Sequence, residues 1–200
     1  MCYLDINWTP GFGDIYVWFA QDRFGRIAKM TNNCWGDIPK CLLAIKDIDN
    51  ILTDISEYIW EESSKFKKYP ENKKGDFFLD MYCHWRYDKY PNKEAIIYNL
   101  REDFKERENY SDANIPINKG IFIYEAIEGN KEGEDYPVGY EGHTKMGDYF
   151  RFLCPTIFGS IEDFPKELWH GIAVSDTLDF MENILLDNSK INLYFPRTYC

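Results

Sequence analysis

Of the side chains able to do chemistry, the densest row lies between residues 77 and 88. His84 follows Cys83 and shares an alternating face with Asp80, Tyr82, Arg86 and Asp88, while Phe77, Leu79, Met81, Cys83, Trp85 and Tyr87 form the apolar face. A histidine in such a row can act as acid or base, with Asp80 as the carboxylate that would orient it. Residues four apart on a strand are separated by roughly 13 Å, so Asp80 cannot reach His84 directly. A solvent-facing strand with polar cross-strand pairs accounts for the same pattern. A small-molecule enzyme with a dispersed site near His84 and Arg86 is therefore the alternative function.

The other histidines have weaker company. His143 lies among Glu132, Glu134, Asp135 and Glu141, in no spacing that resembles a cation-binding loop. His170, in Leu168-Trp169-His170-Gly171, has no sequence partner for ligation. Gly159-Ser160-Ile161 lacks the second glycine of a hydrolase elbow, and Gly11-Phe12-Gly13 lacks the third glycine of a dinucleotide fingerprint and precedes a strand pattern. Cys2, Cys34, Cys41, Cys83, Cys154 and Cys200 contain no Cys-x-x-Cys pair, which speaks against a zinc knuckle and a thioredoxin-type motif and predicts reduced thiols. These residues identify no catalytic group, metal or cofactor and favour a binding protein over an enzyme.

The feature left is the segment from Glu128 to His143. It mixes acid with Tyr136 and Tyr140, a composition suited to an interface in which carboxylates steer a basic partner and tyrosines provide contact area. The expected partner-binding residues are Glu132, Glu134, Asp135, Tyr136, Tyr140 and Glu141.

Several elements must position these groups. Leu4, Ile6 and Trp8 alternate with polar residues, and turn chemistry at Pro10 to Asp14 and at Asp22 to Gly25 predicts a meander of three short strands ending at Thr31. From Ile48 the period becomes 3.6, through Ile51, Leu52, Ile55, Tyr58 and Ile59, with Asp47 as N-cap. The stretch from 61 to 75 reads as a surface connection, and 77 to 87 as one long strand. Residues 93 to 108 favour a helix over a strand. Residues 120 to 127 and 148 to 153 are predicted strands, with a long surface loop from Glu128 to Gly147 between them. A helix capped by Ser175 or Asp176, with Leu178, Phe180, Met181, Ile184 and Leu185 as its stripe, then precedes a strand from Ile191 to Phe195. The expected fold is α+β, a mainly antiparallel sheet with two or three amphipathic helices packed on it, in a single globular domain over 1 to 200.

The chain has 200 residues, including 15 Tyr, 14 Phe and 6 Trp, and a formal net charge of -11. Residues 101 to 150 hold twelve acidic against six basic side chains, so the acid is concentrated in the second half. This balance argues against a phosphate-binding surface and hence against nucleic acid as partner. The amino terminus reads as having no basic leader, and no apolar run approaches the length of a membrane span, so a cytoplasmic location with no membrane partner is expected.

Being small, acidic, rich in aromatic residues, α+β, and without a secretion signal or catalytic motif, the chain resembles the immunity proteins of bacterial toxin systems. The likeness is one of composition and architecture over the whole chain and carries no site residue with it. It implies a cognate toxin, often a nuclease or other intracellular poison, bound tightly enough to neutralise it. In such proteins acid patches can mimic nucleic-acid phosphates, although some bind away from the toxin's active site.

Overall fold

Asp22, fully buried in the tight turn between the first two strands, organises the start of the sheet. Its carboxylate accepts the backbone N–H groups of Phe24 (2.9 Å), Arg26 (3.0 Å) and Phe180 (2.9 Å), as well as Arg26 Nε (2.8 Å). A buried charge is tolerated only when paired and hydrogen-bonded in this way. The turn joins β1 (Val17–Gln21) to β2 (Ile27–Thr31) in an antiparallel hairpin. The computed structural model describes residues 4–129 and 134–199. Helices α1 (Lys40–Leu43) and α2 (Ile48–Ile59) follow, then β3 (Phe77–Leu79), β4 (Tyr82–Cys83) and α3 (Lys93–Arg107). The second half contributes β5 (Phe122–Ala126), β6 (Pro137–Val138), β7 (Tyr149–Pro155), β8 (Ile172–Val174), β9 (Leu185–Leu186), α4 (Ile191–Tyr194) and β10 (Arg197–Thr198).

The fold is α+β. Its main sheet has eight strands in the order β10-β8-β1-β2-β5-β7-β3, with β9 also pairing β7. The sheet is mixed, which corrects the expected mainly antiparallel arrangement: β1 runs parallel to β8 and β2 parallel to β5. Both parallel pairs join strands distant in sequence, so local turn chemistry gives no sign of them. Every residue of β5 and β7 is buried, as expected for strands covered on both faces. Between the layers, Trp18 Nε1 donates to the Tyr149 hydroxyl (3.0 Å), which donates to the Asp37 carbonyl (2.9 Å), and Trp18 meets the Tyr149 and Phe195 rings edge-on.

Helices α2 and α3 form where the 3.6 period placed them. Asn92 Oδ1 caps α3 by accepting the Ala95 N–H at 2.9 Å. Asp47 differs from its expected role. Its φ is 59° and its side chain makes no cap; its carbonyl accepts the Asn50 N–H instead.

Four other expectations are corrected. Residues 4 to 16 form no strand, because Leu4 is tied to Asp49 Oδ2 through its N–H (3.0 Å) and a turn brings the Trp8 N–H to the Asp5 carbonyl. The segment 77 to 87 is not one strand. Alternating burial persists through Leu79, Met81 and Cys83, but after Met81, whose N–H still reaches the Arg151 carbonyl (3.2 Å), the chain leaves β7 to pair with β6, and Trp85–Tyr87 is a single helical turn. No helix begins at Ser175. Ser175 Oγ takes the Thr177 and Leu178 N–H groups as a cap would, but Asp22 takes the N–H of Phe180 and Arg151 Nη1 binds the carbonyls of Phe180 and Met181, groups that a continuing helix would pair internally. The chain from Ile191 to Tyr194 is helical, burying Ile191 and Phe195 at a spacing of four, and the last strand starts beyond Pro196.

Candidate protein-binding surface

The acidic segment after β5 is attached to the body of the protein by its own residues. The Gly129 N–H reaches the Asp135 carbonyl (3.1 Å), the His84 N–H donates to the Tyr136 carbonyl (2.9 Å), and β6 pairs antiparallel with β4. This pairing modifies the expectation of an unpacked loop from 128 to 147. Asp135 Oδ1 accepts the Trp85 N–H at 3.0 Å, covering the first N–H of the 85–87 turn. The Tyr136 ring lies on the His84 imidazole, with centroids 4.8 Å apart and planes 21° apart.

Of the expected binding residues, Asp135 and Tyr136 are therefore half-buried groups that dock the segment, while Tyr140 and Glu141 are exposed. Tyr140 is 37% exposed and its ring lies over Gly142, where a Cβ would collide with it. Glu134 lies beside Gly129. Glu132 lies outside the described residues. Trp85, 58% exposed, stands on the same docked turn as His84 and was expected instead on the apolar face of a strand. Its proximity to the acidic segment depends on the β4–β6 pairing, which local patterning does not reveal.

Carboxylates crowd beneath this surface. Glu125, mostly buried on β5, forms an ion pair with Arg86 Nη1. Burial raises the Glu128 carboxyl above its usual range, with Asp135 and Glu125 adding to the rise and Arg86 opposing it. The Arg86 guanidinium is paired with Glu125 and also draws the Glu128 carboxyl down, against the effect of Asp135. Burial works against the charge on Arg86, yet Glu125 outweighs it and holds Arg86 firmly protonated. Burial also pushes the Cys83 thiol and the Tyr87 hydroxyl far up, with Glu125 next in effect on both. Neither is poised to lose a proton near neutral pH.

At the centre of the alternative enzyme reading, Arg86 is paired with Glu125 and the ring face of His84 is covered by Tyr136. Asp80, the supposed orienter of His84, binds Arg151. His143 is exposed, as is His170 at the end of a helical turn. Among the described residues, no group of three or more His, Cys, Asp or Glu is arranged to hold a metal, and no helix is long and apolar enough to cross a membrane. Cys34, Cys41, Cys83 and Cys154 are free thiols. Compared with family models, curated proteins and solved structures, the chain matches none.

Proposed function

We propose that the chain is a binding protein that neutralises a basic protein partner, in the manner of toxin immunity proteins, and acts in the cytoplasm. The acidic segment from Glu128 to Glu141, together with the exposed Trp85, is the contact surface. The observation carrying this reading is the crowding of Asp135 and Glu125 near Glu128, with Arg86 paired to Glu125, beside residues 135 to 138, which strand pairing and the Tyr136–His84 stack hold in place. Concentrating like charge costs stability, and a cationic partner would relieve that cost. Fixing residues 135 to 138 in advance reduces the ordering entropy lost on binding. Glu134 and Glu141 then steer the encounter, while Trp85 and Tyr140 anchor it.

The test is co-expression with the protein encoded beside this chain's gene. Rescue of growth from that protein's toxicity, with a complex recovered from the cells, is the expected result. A neighbour that is not toxic, or whose toxicity persists with no complex formed, contradicts the proposal.

A further inference from the structure

A second surface, on the flank of α2, joins apolar side chains to acidic ones. Asp49, Leu52, Thr53, Ser56, Glu57 and Trp60 follow one another at helical spacing and form one wall of a groove. The opposite wall is the chain entering β1 at Ile15, Tyr16 and Val17. The groove encloses about 910 Å³, open solvent included. The rise from Asp49 to Trp60 makes the helical wall about 16 Å long. Leu52, Val17, Tyr16 and Trp60 give it an apolar lining, while its charged groups are Asp49, Glu57 and Glu62, with no Lys or Arg among the lining residues.

The acid gathers where the helix disfavours it. The C-terminal end of a helix carries partial negative charge and is normally complemented by Lys, Arg or His. The last turn of α2 has no basic residue and contains Glu57. Beyond it, Glu61 adopts a left-handed φ of 61°, a conformation Gly usually supplies, and the Glu62 N–H closes on the Glu57 carbonyl at 2.8 Å. Glu62 is thereby folded back beside the same helix end. Lys119 neutralises Glu61, and Leu4 engages one oxygen of Asp49.

We propose that this groove binds a basic segment of a protein partner, with apolar side chains seated on Leu52, Val17 and Trp60 and cationic groups meeting Glu57, Glu62 and the carbonyl end of α2. The charge pattern selects this occupant. An acidic segment would face three carboxylates and a helix C-terminus, and a purely apolar one would desolvate them without compensation. The site is separate from the acidic segment after β5 and stands whether or not that segment binds a toxin.

The test uses a fluorescein-labelled amphipathic peptide built of Lys and Leu, its Glu-for-Lys counterpart, and fluorescence anisotropy on the full chain. The Lys peptide is expected to bind and the Glu peptide to fail. E57Q/E62Q should weaken binding about tenfold or more, and T53W, which fills the groove without changing charge, should do the same. Removing the same number of charges from α3, in E94Q/E106Q, should change affinity by no more than about twofold. Equal weakening by the two charge variants would show diffuse attraction to an acidic protein and overturn the site. So would unchanged binding in T53W, or equal binding of the Glu peptide. A concentration-dependent dimer in sedimentation that T53W dissociates would assign the groove to a second copy and also overturn the proposal. Far-UV spectra and thermal unfolding of each variant separate lost binding from lost folding.

Discussion

Glu128 shows at a single residue how the candidate surface trades stability for charge. Its carboxyl is raised above the usual range by burial, then by Asp135 and Glu125. With the folded pKa above the unfolded one, the folded state binds the additional proton. The stabilisation is fullest below the ordinary carboxylate range and declines as pH rises through the folded value. Gln imitates the protonated form, so E128Q is expected to be more stable than wild type near neutral pH by about 0.5 kcal/mol, after allowance for solvent screening. The gain should vanish at low pH. Urea unfolding at several pH values checks this, and a stability loss at neutral pH would show Glu128 to be held by favourable contacts. The acidic and aromatic composition of this segment was legible in the sequence. What was not legible is that Asp135 and Tyr136 face inwards, because their partners Trp85 and His84 come from a turn some fifty residues away.

Elements with one dominant local period were readable, and those whose backbone groups are claimed by distant side chains were not. Helix α2 kept its stripe, and β5 and β7 kept their apolar runs. The Ser175 to Leu185 stripe fits a helix equally well on paper, yet Asp22 and Arg151 capture its N–H and carbonyl groups from the sheet. The alternation from Phe77 has a mixed outcome, since it reports burial correctly to Cys83 although β3 ends at Leu79. Burial, more than strand pairing, therefore sets the cost of substitution there. Met81→Ala should cost about 2 to 5 kcal/mol, while Phe78→Ala, at a side chain 62% exposed, should cost less than about 1 kcal/mol. Chemical denaturation of both variants measures the difference, and equal costs would contradict the assigned faces.

For the molecule as a whole, the mixed order of the sheet follows from chain returns that bring β5 beside β2 and β8 beside β1, and no local pattern encodes them. The cysteines offer a global check on the reduced state expected from their spacing. Burial raises the Cys41 and Cys154 thiols to about 11 and Cys83 further, so in native protein at pH 8 these three should react slowly with a thiol reagent. After denaturation under nitrogen, all six cysteines of the sequence should titrate. Two or fewer reactive groups would mean disulfides and overturn the cytoplasmic reading. Binding kinetics test whether the acidic segment meets a basic protein. With the co-encoded protein immobilised and two salt concentrations compared, E134Q/E141Q should lower the association rate and flatten its salt dependence, whereas Tyr140→Ala should mainly speed dissociation, by about 1 to 4 kcal/mol in affinity. Rates unchanged in both variants, against a wild type that binds, would contradict the claim.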